Sequence, residues 1–280
     1  VSYRLAVCNN KGGVGKTNEV INLAVFLVTL FMLRVRIVDL DPQADSSAAL
    51  GFEVKDEEDA PSIYDAITDA YQRQRLVTGT AAKAIQACRW DVPWRDKLTF
   101  IPSRFDLEEA NAVAPNLDHY LRLRAALEGT DDDVDVTLYD CPPSLGVLPQ
   151  MAWADADDVM LVTQPSFRSY RGLKRTEAQL YYVRDKLLVP DLDIVGFVIN
   201  AVREQTTNHQ HWSKRIINEF GENRHWGTVP LRATLSRLDD QLKPVAFLDD
   251  GAEKAALTAH YEPIARRIHQ LATTTINQEI

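Results

Sequence analysis

Paired cysteine is missing from this chain. Its three cysteines, Cys8, Cys88 and Cys141, stand far apart with no Cys-x-x-Cys spacing, which excludes a disulfide framework and a structural zinc site. Small core thiols in a reducing, cytoplasmic compartment are the expected reading. Basic charge is also short. The chain sets 31 Lys and Arg against 40 Asp and Glu, a net charge of −9, which argues against indiscriminate adhesion to polyanions. Nor does any apolar run suffice for a membrane. Residues 20–33 come nearest, with fourteen positions that include Asn22 and Thr29, against the ~20 that a spanning helix needs. An apolar strand pattern begins within a few residues of the start, so no signal peptide is read there. A soluble protein is expected.

What is present begins at Lys11-Gly12-Gly13-Val14-Gly15-Lys16-Thr17, just after the apolar stretch 5–8. Strand, glycine turn and helix start together make a phosphate cradle. Glycines let backbone N–H groups converge on phosphate oxygens, and the helix dipole favours the negative charge. Lys16 is placed to reach β- and γ-phosphates, the Thr17 hydroxyl to ligate Mg²⁺, and Asn18 to donate to a phosphate. This pattern predicts a nucleoside triphosphate site.

Short aliphatic runs at 5–8, 35–40, 98–101, 134–140, 159–163, 194–200 and 228–231 read as strands. Most lack polar alternation, as expected of parallel strands covered on both faces. Helical periodicity falls between them at 17–33, 106–113, 119–128, 170–188, 208–220 and 252–271. The alternation predicts an α/β fold, a doubly wound and mostly parallel sheet with helices on both faces. Ligands bind at the carboxyl ends of such strands, which is where Asp140 closes its run. There a carboxylate can hold Mg²⁺ through water, and Cys141-Pro142-Pro143 prevents an immediate helix. Lys55-Asp56-Glu57-Glu58-Asp59 reads as a solvated loop and Asp131-Asp132-Asp133 as a charged turn. No internal domain boundary is visible, so residues 1–280 are expected to form one unit.

A standard phosphate loop has glycine where this chain has Asn10, and has no use for Lys11. The loop instead resembles the deviant Walker motif of the ParA/MinD family of P-loop ATPases, with its additional lysine before two glycines. Val38-Asp39-Leu40-Asp41-Pro42-Gln43 resembles that family's second acidic motif. Thr137-Leu138-Tyr139-Asp140-Cys141-Pro142-Pro143 resembles its Walker B strand end. Weaker echoes lie at Gly196-Phe197-Val198-Ile199-Asn200 and Gly227-Thr228-Val229-Pro230-Leu231-Arg232, and residues 52–97 match poorly. The resemblance implies ATP and Mg²⁺ as ligands, with catalytic Lys11, Lys16 and Asp41. Asp41 would orient or deprotonate the attacking water, and Asp39 would support the metal shell and loop beside Thr17 and Asp140. Asn200 and Pro230 take the adenine side. Lys11 would reach the nucleotide of a second subunit, making ATP part of a homodimer interface. Asn18-Glu19 departs from the family's usual pair after Lys-Thr, and Phe31-Met32-Leu33-Arg34 replaces a usual glycine. Weak hydrolysis follows as an expectation.

Charge distribution bears on what the cycle drives. Residues 163–237 hold 12 Lys and Arg against 7 Asp and Glu, leaving −14 on the rest. Arg168, Arg171, Lys174 and Arg175 recur at helical spacing, and Lys214, Arg215, Arg224, Arg232 and Arg237 follow. Such a face can hold a DNA backbone without reading sequence. Resemblance to partition ATPases implies non-specific double-stranded DNA, a ParB-like centromere-binding or other stimulating protein, and a nucleoid-associated cytoplasmic location. No N-terminal helix-turn-helix domain is expected. The alternative is a MinD-like or other cargo-positioning ATPase acting on a protein assembly or a membrane. The last ten residues lack the basic amphipathic pattern of a membrane anchor. A cluster carrier would need paired cysteines, and a non-hydrolysing ATP-binding scaffold would show no turnover.

Overall fold

The computed structural model describes residues 2–52, 60–112 and 116–278. In chain order the elements are β1 (Tyr3–Cys8), α1 (Lys16–Phe31), β2 (Val35–Asp39), α2 (Asp45–Ala49), α3 (Ile63–Asp69), β3 (Tyr71–Gln72), β4 (Arg75–Leu76), β5 (Gln86–Ala87), β6 (Leu98–Ile101) and α4 (Leu117–Leu127). There follow β7 (Val136–Asp140), α5 (Val147–Asp155), β8 (Asp158–Thr163), α6 (Phe167–Val183), β9 (Asp193–Val202), α7 (Thr207–Phe220), β10 (His225–Pro230), α8 (Ala233–Asp240) and α9 (Ala252–Gln278). Eight strands form one sheet in the order β10-β9-β8-β1-β7-β2-β6-β5, parallel except for β5 against β6. All seven expected strands are in it.

Period-two alternation divides the interior into two cores. From β1, Tyr3, Leu5 and Val7 enter the core that holds Leu23, Leu27, Leu257 and Tyr261 of α1 and α9. Ala6 and Cys8 enter the other, with Leu123, Trp153, Leu173 and Ile216 of α4 to α7. Covering both faces buries the sheet and leaves its carboxyl edge as the open rim, where chain turns to helix. The three cysteines are buried and unpaired.

Several elements were not legible in advance. The helix α5 is buried on every side, so its sequence Val-Leu-Pro-Gln-Met-Ala-Trp-Ala-Asp shows no polar face. The short α2, α3 and α8 fall below the length at which periodicity speaks. The β3–β4 hairpin and β5 lie in the poorly matched stretch. The 106–113 helix is a 3₁₀ turn, Phe105–Asn111, and α9 runs through the supposed polar tail to Gln278. The acidic loop at 55–59 lies outside the described residues. Met32 stands at φ 59° and caps α1 with its N–H on Leu27 and Val28 carbonyls, a left-handed position that glycine usually fills. Among the described residues, no helix is long and apolar enough to cross a membrane.

Candidate nucleotide site and the basic face beside it

At the carboxyl rim, β1 delivers the glycine loop directly to the start of α1. Gly15 caps that helix at φ 92°, and a Cβ there would fall 2.0 Å from the Asn200 amide nitrogen. Only glycine meets both the backbone angle and the space. Gly12, Gly13, Gly15, Lys16, Thr17 and Asn18 line a cavity of about 430 Å³, faced by Asp41 and Pro143 and closed by Asn200, Pro230, Leu235 and Asp239. Loop, acidic motif and both weaker echoes thus meet in one place. Leu235, Ser236 and Asp239 of α8 join them, and no sequence motif pointed to that helix.

The carboxylates differ in surroundings. Asp140 is 1% exposed, and neither of its oxygens has a well-formed hydrogen bond. Burial and the nearby Asp39 carboxylate raise its pKa, while the Lys16 ammonium and Thr17 hydroxyl pull it down. An orphaned carboxylate beside a hydroxyl is a fitting place for a hard divalent cation or its water shell. Among the described residues no group of three or more His, Cys, Asp and Glu could cage a metal. A cation here would therefore take its other ligands from water and phosphate oxygens.

Asp39 is differently engaged. One oxygen accepts from the Ser47 N–H at 2.9 Å and the Ser47 hydroxyl at 2.6 Å, and the other from the Asp41 N–H at 3.1 Å. These bonds organise the turn that carries Asp41, the loop part of the role expected of Asp39 beside the metal shell. Asp41 itself is half-buried on the cavity wall, accepting from the Gln43 N–H at 3.1 Å. Asn200 lines the cavity and also clamps the loop: its amide donates to the Val14 carbonyl at 3.0 Å and its oxygen accepts from the Ala201 N–H at 2.7 Å. Pro230 lines the wall. Asn18 lines the cavity with its carboxamide oxygen held by Asn22 at 2.8 Å. Glu19 points away from the cradle. It is fully buried without a hydrogen-bond partner, and burial raises its pKa to about 8.

Lys11 leaves the cavity. Its ammonium donates to Ser169 Oγ at 3.0 Å and Gln164 Oε1 at 3.4 Å, at the start of α6. Arg168, Arg171 and Arg175 lie exposed along the same helix, with exposed Lys214 and Arg215 on the adjoining α7. Among the described residues none of these five has an ion-pair partner. An aromatic layer that the sequence reading missed joins the two helices. Trp212 packs on Phe167 and Tyr170, Arg215 lies over Tyr170 and Trp212, and Arg171 over Phe167. Two expected members drop out of the free set. Lys174 is paired with Glu177 and Glu219, and Arg224 with Asp193. Arg232 lines the cavity, and Arg237 stands on α8.

Residues 3–194 match the AAA domain family. The chain is 30% identical over 267 residues to the chromosome partitioning protein ParA of Caulobacter vibrioides, covering 94% of this chain and 92% of that one. The chain belongs to the ParA/MinD family of ATPases. It is also 28% identical to the sporulation initiation inhibitor protein Soj of Bacillus subtilis, over 88% of this chain and 90% of Soj. Among solved structures, apo McdA from Cyanothece superposes with a TM-score of 0.77 at 19% identity, covering 96% and 99% of the two chains. At that identity the likeness is of fold alone. Cobyrinic acid a,c-diamide synthase from Mycobacterium smegmatis, solved with ADP and magnesium, reaches a TM-score of 0.65 at 27% identity over 78% and 82%.

Proposed function

We propose that the chain is a partition ATPase. It binds ATP and Mg²⁺ in the rim cavity, pairs with a second copy across the bound nucleotides, and holds double-stranded DNA through the α6–α7 face. A ParB-like or other stimulating protein then speeds hydrolysis and release, in the nucleoid region of the cytoplasm. Relatives named for chromosome partitioning support the reading, as do the cradle's glycines and the orphaned Asp140.

Each residue's task follows from its place. Loop N–H groups and Lys16 would bind the phosphates, Thr17 and Asp140 would hold the metal, and Asp41 would orient the attacking water. The metal, when bound, neutralises charge on the phosphate oxygens. Asp39 and Asn200 keep the Asp41 turn and the loop in position.

The observation that carries the two-copy reading is Lys11. Lys16 already occupies the cradle, and Lys11 stands at its edge with its ammonium turned to α6. In Lys11→Ala, ATP binding by one copy should persist within about threefold while the ATP-dependent dimer is lost. Light scattering with ATP that shows an unchanged dimer in the variant refutes the role.

A further inference from the structure

The segment from β1 into the glycine loop is laced to α6 and the turn before it. Asn10 N–H donates to Thr176 Oγ1 at 3.1 Å, and Gln164 donates back to the Gly13 carbonyl at 2.8 Å while receiving Lys11. Gly172 makes this approach possible. A Cβ there would stand 2.8 Å from Asn9 Oδ1 and 3.5 Å from Lys11 Cβ. Ser169 is fully buried, and its hydroxyl lies 2.9 Å from that of Ser166, the residue that caps α6. The Lys11 ammonium therefore rests in a built pocket, on two neutral oxygens.

We propose that Ser169 and Gln164 are positioning residues that park Lys11 against its own subunit, so that it must leave them before serving the nucleotide of a second copy. The inference rests on the two-copy reading above. Two features make the parked state a temporary one. Among the described residues no carboxylate pairs with Lys11, and partial burial together with the Arg168 charge destabilises its ammonium. Neutral acceptors hold a cation less firmly than a carboxylate does. Departure from Ser169 also frees one of the ties between the loop and α6, the helix that carries Arg168, Arg171 and Arg175. Parking thus withholds Lys11 in the single copy and sets how readily two copies join.

Two readouts on the whole chain separate this inference from the reading beneath it. The first is trace acylation of amines by acetic anhydride without nucleotide, read at Lys11 by mass spectrometry with exposed Lys214 as internal standard. Ser169→Ala should speed Lys11 acylation several-fold, and Gln164→Glu, which supplies a carboxylate, should slow it. The second is dimer affinity with a slowly hydrolysed ATP analogue. Two parking sites empty per dimer, so Ser169→Ala should tighten it by about 5- to 30-fold. In the Lys11→Ala background, which forms no dimer, adding Ser169→Ala should leave ATP binding by the single copy unchanged, whereas a merely structural role for Ser169 in the loop would weaken it there. Unchanged acylation in both variants overturns the parking site, and so does weakened single-copy ATP binding when Ser169→Ala is added to Lys11→Ala. Faster acylation in Ser169→Ala, with no dimer in the wild type, rejects the two-copy reading and leaves the parking site standing.

Discussion

Buried charge is handled in opposite ways at the two ends of the sheet. At the amino end, Arg4 bridges Asp131 and Asp155, Arg36 binds Asp131 and Thr130, and the Tyr139 hydroxyl donates to Asp155. At the carboxyl end, Asp140 and Glu19 are as deeply buried and have no comparable partners. Burial raises the pKa of both Asp155 and Asp140. Arg4, Tyr139 and Arg124 counter it at Asp155; at Asp140, Asp39 adds to it. Unpaired buried charge costs stability: Glu19, turned from the cradle, keeps its proton, whereas Asp140 stands beside the cradle, where a bound ligand would complete it. The amino end is braced by ion pairs, and the carboxyl end carries the residues proposed for the chemistry.

The largest expected effect breaks the chemistry without touching stability. Asp41→Ala should cut ATP turnover by about 10²–10⁴, the usual cost of losing a positioned base. ATP binding and the thermal midpoint should stay near wild type. Steady-state phosphate release together with calorimetry checks both, and wild-type turnover would move the role elsewhere.

Next comes the direct contrast between two buried aspartates. Asp155→Ala leaves Arg4 short of a partner and should destabilise the nucleotide-free chain by about 3–5 kcal/mol. Asp140→Asn removes an unpaired charge that faces Asp39, and should change stability by less than about 0.5 kcal/mol or raise it. Urea unfolding of the two variants decides the matter. Equal losses would erase the distinction between the ends.

A pH scan sharpens the contrast at Glu19. Its ordinary pKa is 4.5 and burial raises it to about 8 in the folded chain, so the folded state holds a proton that the unfolded state releases between those values. The stability it contributes is full below about pH 4.5 and lost as pH rises through about 8. Wild type should lose on the order of a few kcal/mol relative to Glu19→Gln between pH 5 and 8.5. Parallel curves for the two in urea melts would mean that the carboxylate finds a partner.

Legibility followed the same division. Backbone-encoded features, the glycine loop and the aliphatic strands, could be read because local sequence dictates them. The strand-end aspartates were found by motif, but their partners were not. Ser47 meets Asp39 from eight residues on, and Asn200 reaches the Val14 carbonyl from 186 residues away. The loop contacts that Asp39 and Asn200 make therefore had to come from the fold. The basic face was visible as spacing on α6. Its joining to α7 through Phe167, Tyr170 and Trp212, and the pairing that removes Lys174 and Arg224, depend on packing between helices. The all-round burial of α5 erased the periodicity that would have announced it.

In the proposed cycle, nucleotide at the rim would govern binding of DNA to the α6–α7 face. A salt titration of binding to unrelated duplexes, run with ADP and with ATP, tests it most directly. Affinity should require ATP, ignore sequence, and fall with salt at a log–log slope of about −0.9 per phosphate contacted. Arg171→Ala with Arg175→Ala should flatten that slope by ~2 for each copy engaged, leaving ATP binding and dimerisation intact. Equal affinity with ADP and ATP, or no binding in either, would contradict the account.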